Sequence, residues 1–447
     1  MTKRNASKYG AISEGWLYQK ELMALPRVQQ SSSELISFYN YHVSKHDFYH
    51  HLSGGEVVNA VEQIPVIDKA CVLDHWELFL NSAAMNQRDI DLYISNFNIA
   101  NTFNNHLVFH SSGSSGRKSI TLYNQFEFGR SLYALYEKTL KAFGSRRIAY
   151  IGLTDRYNGG NQWMYHLSDP LDVKLMNFFD NDEQHIAALT EFQPDVIFTK
   201  PSKLLALGRK MRQKGTKLKS LNHIISVGEN LSSYAENEIY RLFGVHPKNS
   251  FSTTETGPIG FQSSYDRELE LYDNLNHVEI LDENGLPIHE PNIPGRLVIT
   301  NLYNLTFPLI RYDLADYVSW VDGKVGKSVS FVLGRGDKSV LLGKEERKIK
   351  VNELALWQFE SDLLQDCQFN IIHSTQIDIY AVLIRDLPSE KETLKKQIGR
   401  FFDDLALPES VLVDIHFVHA IEPDSDSSKT KKVVIHPQKT PQSEGVL

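Results

Sequence analysis

The sequence predicts an α/β protein: a large N-terminal domain with mainly parallel sheets, a β-rich subdomain within it, and a small mobile α+β C-terminal domain. Three observations carry this expectation. Between residues 100 and 260 the runs Ile148–Leu153, Asp195–Thr199 and His223–Val227 are short and continuously apolar rather than alternating. Such runs mark strands buried on both faces, as in a parallel sheet covered by helices. After residue 270 the texture changes to His277–Leu281, a turn at Asp282–Gly285 and Arg296–Thr300, which read as antiparallel strands continued by Tyr317–Trp320. Glycines then flank a charged pair in Gly334–Lys338, and a new pattern begins beyond them. The expected division is therefore 1–333 for the core, with its β-rich part at about 270–333, and 334–447 for the small domain, hinged at 334–338.

The elements follow in order. Residues 12–52 read as helical with interleaved aromatics. His42, His46 and His50 recur at ligand spacing there, but no Cys, Asp or Glu completes a set, so a half-exposed His-rich face is expected. A loop at Ile64–Lys69 leads into a helix through Trp76 and Leu80. Helices are expected over 124–142, 182–191 and 202–214, the last opened by Pro201-Ser202 and stopped by Gly215. In the small domain, 369–374, 379–384 and 411–417 read as strands and 389–404 as an amphipathic helix. The chain has 447 residues and a net charge of −8, which argues against non-specific nucleic-acid binding. No signal-peptide run or membrane-length apolar stretch is visible, and two cysteines, Cys71 and Cys367, read as buried thiols of a reducing compartment. A cytoplasmic protein without nucleic-acid or membrane partners is the expectation.

Ser111-Ser112-Gly113-Ser114-Ser115-Gly116-Arg117-Lys118 lies between two strand-like runs. Glycines let backbone N–H groups turn toward an anion, and hydroxyls and cations add donors and charge. It is neither the common NTPase loop nor a nucleophile elbow. A plain Ser/Gly surface turn fits its composition equally well. In α/β sheets ligands lie off the carboxyl ends of the strands, which places Gly152–Thr154, Thr199–Pro201 and Gly228-Glu229-Asn230 around one cleft. Phe251–Gly257 follows Phe243-Gly244-Val245 and is expected on the loop after a strand. Its hydroxyls beside Glu255 suit a divalent cation, and its ring suits a base. Pro308–Asp316 closes on a carboxylate suited to ribose hydroxyls. Ser427–Val434 is rich in lysine. Singly, each reads as turn, loop, linker or tail.

Together, in this order, they resemble the adenylate-forming enzymes (acyl-CoA synthetases, adenylation domains and luciferases), and within them the phenylacetate–CoA ligase and capsule-type branch. The resemblance runs from about Ile64 to Val434. It implies that Ser111, Ser112, Gly113, Ser114, Ser115, Gly116 and Lys118 hold ATP phosphates, and that Gly228 and Glu229 bind the nucleotide. In Phe251-Ser252-Thr253-Thr254-Glu255 it implies an adenine-stacking ring, phosphate contacts and the Mg²⁺ carboxylate. Asp316 would bind the ribose, Arg335 would lie near the nucleotide, Asp337 would be the pivot and Lys429 the catalytic lysine. Tyr157, Gly159, Gly160 and Trp163 fall where this branch builds its acyl pocket, with Arg156 and His166 nearby, and the aromatics favour an aryl or heteroaryl acid. The implied activity is ATP-dependent activation of a small carboxylic acid with pyrophosphate release, then transfer to the thiol of CoA or of phosphopantetheine. Loading of a carrier protein, amide formation and a non-catalytic nucleotide-binding relative are the alternatives, and a homodimer is compatible with all of them. Three departures stand out. Ser428 replaces a glycine, Phe251-Ser252 replaces Tyr-Gly, and Lys344–Lys348 replaces a Gly-x-x-x-x-Pro stretch tied to thioester formation.

Overall fold

The computed structural model describes residues 10–24, 32–80, 86–110, 119–168, 171–336, 339–344, 347–357, 359, 361–424 and 428–436. Two compact units emerge: Met1–Leu314 with Val318–Phe331 and Asp426–Ser428, and Ala315–Tyr317 with Val332–Ser425 and Lys429–Leu447.

In the first unit, β1 (His106–His110) and β2 (Ile120–Asn124) pair as an antiparallel hairpin. They are followed by β3 (Arg147–Gly152), β4 (Asp172–Asn177), β5 (Val196–Thr199), β6 (His223–Val227), β7 (Pro247–Thr253), β8 (Gly257–Phe261) and β9 (Glu268–Leu271). Next come β10 (Asn276–Leu281), β11 (Gly295–Asn301), β12 (Tyr312–Val318) and β13 (Ser328–Ser330). An eight-stranded sheet has the order β13-β9-β8-β7-β6-β5-β3-β4. The run from β4 to β7 is parallel, and β7, β8, β9 and β13 are antiparallel. This is the mixed α/β architecture the apolar runs predict. β5 is buried along its whole length, as a strand covered on both faces must be. Helices Gln125–Thr139, Asp182–Phe192, Pro201–Gln213 and Ser233–Phe243 connect the strands.

Some expectations are corrected. Phe243-Gly244-Val245 is not a strand. Phe243 ends a helix, Gly244 caps it at φ 73, and β7 begins only at Pro247. Phe251, Ser252 and Thr253 are therefore strand residues, and the turn is confined to 254–256. β13 lies inside the segment expected to be a separate β-rich part, yet it pairs with β9 in the large sheet. The stretch 12–52 is not one helix: Gly10–Ala24, Ser32–Lys45 and Asp47–Ser53 are separate, and His46 has extended backbone between the last two. His42 and His46 are only 2% and 3% exposed whereas His50 is exposed, so the three do not form one half-exposed face. Cys367 is buried as expected, whereas Cys71 is only partly so.

A buried arginine ties the N-terminal helical region to the β10–β12 strands. Arg311 makes a two-pronged ion pair with Glu279 at 3.0 and 3.1 Å and donates to the carbonyls of Val61 and Ile64.

In the second unit, β14 (Gly334–Arg335) pairs with residues 316–317. β15 (Ser339–Lys344) and β16 (Arg347–Asn352) form a hairpin. β17 (Leu364–His373), β18 (Gln376–Leu383), β19 (Leu412–Phe417) and β20 (Val433–Ile435) form a sheet of order β19-β18-β17-β20. Helix Pro388–Asp404 packs Leu394, Ile398 and Phe402 into a core with Phe369, Ile377 and Ile379. Among the described residues, no helix is long and apolar enough to cross a membrane.

Candidate functional site

The carboxyl ends of β3, β5 and β6 carry the three stretches that sequence grouped around a cleft. Gly228 follows β6 with φ 77, a left-handed conformation that glycine adopts without strain. Glu229 beside it accepts from the backbone N–H and the hydroxyl of Ser202 at 3.2 and 3.1 Å, so it caps the helix that starts at Pro201. It lies just beyond the carboxyl end of β6, and its carboxylate is engaged with this helix end.

Glu255 sits in the turn after β7, and its carboxylate accepts a short hydrogen bond from the Ser119 hydroxyl. Ser119 directly follows the Ser/Gly stretch, and the His110–Ile120 pair closes the β1–β2 hairpin around that stretch. Ser111, Ser112, Gly113, Ser114, Ser115, Gly116 and Lys118 themselves lie outside the described residues, as does Asp337. The hairpin stem thus brings Ser119, the residue after the candidate phosphate loop, against the candidate metal carboxylate. Phe251, Ser252, Thr253 and Thr254 are all half-buried on the same strand and turn. The Thr253 and Thr256 hydroxyls lie 2.9 Å apart, and Thr253 Oγ1 also accepts from the Thr256 N–H at 3.1 Å.

The four acyl-pocket candidates cluster on the turn and helix after β3. Asn158 caps helix Gly159–Leu167 by accepting from the Asn161 N–H. Trp163 is buried beside Gly159 and donates to the Ser131 hydroxyl at 3.4 Å, and a Cβ on Gly257 would fall 3.7 Å from its ring. Tyr157 is 1% exposed, stacks on Tyr93 and exchanges hydrogen bonds with the backbone of Asn98. Gly160 lies so close to the Tyr150 hydroxyl that an added Cβ would fall 2.3 Å from it. Tyr157 and Gly160 are thus engaged in internal packing. Arg156 pairs with Asp155 at 2.9 Å, and this hydrogen bond holds the Asp155 carboxyl below its usual range.

Asp316, Arg335 and Lys429 belong to the second unit. Asp316 and Arg335 are ladder partners whose side chains pair at 3.3 Å, and Ala315 before them has φ 59. The Lys429 carbonyl accepts from the Asp424 N–H at 3.0 Å. Ser428 has φ 51, the left-handed region that favours the glycine it replaces.

Sequence reasoning missed a set of buried polar side chains beneath the Glu255 turn: Tyr123, Asn276, Asn301 and Tyr303, each at most 2% exposed. No motif marks them, since each is a polar residue set in an apolar strand or loop. Among the described residues no group of three or more His, Cys, Asp or Glu could hold a metal. A single carboxylate flanked by hydroxyls nonetheless fits Mg²⁺, which takes one or two carboxylates and completes its shell with phosphate oxygens and water. A cavity of about 250 Å³ lies elsewhere, at the opposite ends of β6 and β7, lined by Asn222, His223, Lys248 and Tyr265 among others.

No family model matches the chain. A stretch of 155 residues is 26% identical to the fumarate–(S)-2,3-diaminopropanoate ligase of Enterobacter agglomerans, covering 33% of this chain and only 37% of that relative's length. The chain superposes on the crystal structure of 2-hydroxyisobutyryl-CoA ligase in its postadenylation state with 2-HIB-AMP at a TM-score of 0.66. That alignment has 14% identity and covers 90% of this chain and 88% of the other. The amide bond synthetase McbA of Marinactinospora thermotolerans aligns with a TM-score of 0.53 and 12% identity over 73% of this chain and 67% of its own. At such identities the likeness is one of fold. The protein has the fold of the adenylate-forming ligases, as the ordered motifs imply.

Proposed function

We propose that this protein activates a carboxylic acid with ATP, forming an acyl-adenylate and releasing pyrophosphate, and then passes the acyl group to an acceptor. The observation that carries this reading is the meeting of the Ser/Gly hairpin stem with Glu255 through Ser119. It joins a phosphate-type loop to a metal-type carboxylate in a fold shared with adenylate-forming ligases.

One carboxylate oxygen of the acid attacks the α-phosphorus of ATP, and the bond to the bridging oxygen of pyrophosphate breaks. Two anions approach, so the barrier is largely electrostatic. The residues at 111–118 grip the departing β,γ-phosphates. Glu255 would hold Mg²⁺, which neutralises charge on the phosphate oxygens. Phe251 stacks on adenine, Asp316 takes the ribose hydroxyls, Arg335 lies near the nucleotide, and the Lys429 ammonium offsets the developing charge. Asp337 serves as the pivot between the two half-reactions. The acceptor then attacks the acyl carbon, and AMP leaves with the oxygen that bridged acyl and phosphate.

The acceptor in the first reading is a thiol, of CoA or a carrier's phosphopantetheine, with an aryl or heteroaryl acid filling the pocket by Trp163. A second reading, amide formation with an amine, is favoured by a specific departure. Where the resembled family carries Gly-x-x-x-x-Pro, this sequence has Lys344–Lys348, of which Lys344 ends β15 and Arg347 and Lys348 open β16. One curated relative is named a fumarate–(S)-2,3-diaminopropanoate ligase and McbA an amide bond synthetase.

Acid-dependent exchange of labelled pyrophosphate into ATP, screened over aryl, heteroaryl and aliphatic acids, tests the first step. Exchange with at least one acid is expected, and Lys429→Ala should abolish it while sparing acyl transfer from supplied adenylate. Full exchange in that variant refutes the role of Lys429, and ATP binding with no exchange for any acid refutes the reaction. Offering CoA and amines after adenylate formation then separates the two acceptors.

A further inference from the structure

The turn that carries Glu255 is held from below, one carbonyl after another. The Tyr123 hydroxyl donates to the Glu255 carbonyl at 3.3 Å. Asn301 Nδ2 donates to the Thr256 carbonyl at 3.0 Å, and the Tyr303 hydroxyl lies 3.4 Å from the same oxygen and 3.4 Å from the Tyr123 hydroxyl. Asn276 Nδ2 donates to the Pro258 carbonyl at 2.7 Å. Between these points Gly257 has φ 74, and a Cβ there would fall 2.2 Å from the Tyr303 hydroxyl, so the phenol also fixes the turn's closest approach.

The donors are themselves held. Asn301 Oδ1 accepts from the N–H groups of Tyr303 and Asn304, and Asn304 Nδ2 donates to the Leu122 carbonyl. Glu127, 3% exposed, accepts from the N–H groups of Leu305 and Thr306 and closes a capping box with Asn124. Burial pushes the Tyr303 phenol up to about 12 and the Tyr123 phenol well above its ordinary value, so both stay protonated donors. Asn276 Oδ1 is buried without a hydrogen-bond partner among the described residues, but Tyr123, Asn301 and Tyr303 are each bonded, and buried polar side chains so bonded are costly to remove singly.

We propose that Tyr123, Asn301 and Tyr303 are positioning residues: by clamping the carbonyls of Glu255 and Thr256 they aim the Glu255 carboxylate at the metal that accompanies the nucleotide. This rests on the reading of Glu255 given above, and touches neither acid nor nucleotide directly. It assigns function to side chains that packing alone would fill as well with phenylalanine or leucine.

Tyr123→Phe and Tyr303→Phe remove one hydroxyl each and keep the ring. Tyr272→Phe serves as the control, because Tyr272 is also buried and its hydroxyl has no hydrogen-bond partner among the described residues. Two readouts are needed. Amide hydrogen exchange over residues 251–261 should quicken by about 5-fold in each clamp variant, the loss expected for one net hydrogen bond, and stay unchanged in Tyr272→Phe. Calorimetric titration with ATP plus Mg²⁺ should show about 5-fold weaker binding in the clamp variants, whereas titration with ATP in EDTA should match the parent protein. Equal losses with and without Mg²⁺, or exchange and binding like the parent's in both variants, overturn the proposal. A parent protein whose ATP binding ignores Mg²⁺ refutes the reading of Glu255 instead, and the exchange data then report whether the clamp exists. If one phenol variant fails to fold, the other carries both readouts.

Discussion

The turn at 254–256, with the start of β8 after it, and the segment at 428–432 carry Glu255 and Lys429, the two residues given the largest share of the proposed chemistry, and they are held in different ways. The first has three successive anchor points supplied by side chains at most 2% exposed. The second begins at Ser428, which is 0% exposed and accepts a hydrogen bond from the buried Lys200 ammonium. It continues with a backbone hydrogen bond between Asp424 and Lys429 and a Lys431–Asp424 ion pair whose side chains are each about one-third exposed. Lys431, whose carbonyl accepts from Gln368 Nε2 at 2.7 Å, and Lys432, which donates to the carbonyls of Trp357 and Phe359, join that segment to its own core. Buried, satisfied donors fix a geometry, whereas exposed pairs are screened and contribute little. Under the proposed reaction, a carboxylate that holds the metal would stay in place through both half-reactions, whereas a lysine used only in the first would have to leave.

The strongest test of the rigid side lies at Arg311, the buried cation that joins β10 to the N-terminal helices. Removing it leaves Glu279 unpaired, so Arg311→Ala should cost about 3–5 kcal/mol in urea unfolding, and a loss below 1 kcal/mol would show that the frame is not rigid there. Glu255→Gln keeps the shape and the Ser119 contact but removes the charge. It should lower acid-dependent pyrophosphate exchange by about 10²-fold or more, and an unchanged rate would break the comparison at its centre.

A third test uses pH. Burial lowers the imidazoles of His42 and His46 to about 4 from an ordinary 6.5, and the neighbouring His46 adds to the shift of His42. The folded protein then binds fewer protons than the unfolded chain between these values, so stability is full above about 6.5 and falls as pH drops toward 4. The slope can reach about 1.4 kcal/mol per pH unit for each ring. His42→Phe should flatten the dependence measured by urea unfolding between pH 5 and 7, and an unaltered slope would mean that the ring is not buried neutral. On the adaptable side the effects should be small. Lys431→Ala should change stability by no more than about 1 kcal/mol. Ser428→Gly relieves the left-handed backbone at φ 51 but removes the buried hydroxyl that accepts from Lys200, so the two effects should nearly offset and leave a change of about 1 kcal/mol or less. A larger effect of either would show that the lysine segment is as firmly built as the Glu255 turn.

Much of the fold was legible because its signals are local. The continuous runs at 148–153, 195–199 and 223–227 could bury both faces only as inner strands, and Pro201 and Gly215 bracket their helix as start and stop residues do. β7 was hidden because Phe243-Gly244-Val245 imitates a strand start, while Pro247-Lys248-Asn249-Ser250 has little apolar character of its own and is a strand only by tertiary pairing with β6 and β8. The burial of His42 and His46 was hidden for the same reason: their partners, Tyr49 and Phe79, come from other elements. In the candidate site, motif order pointed to Glu255 and the hairpin stem, but the clamp was invisible. Tyr123 and Asn301 lie 178 residues apart, and nothing in either neighbourhood says that both reach one turn.

The central claim is that the acid's own oxygen displaces pyrophosphate at the α-phosphorus. It can be tested with an acid, identified by the exchange screen, that carries ¹⁸O in both carboxylate positions. After one complete turnover with the matching acceptor, the account predicts one ¹⁸O in each AMP and none in pyrophosphate. Label in inorganic phosphate with release of ADP would mean attack at the γ-phosphorus and would contradict it.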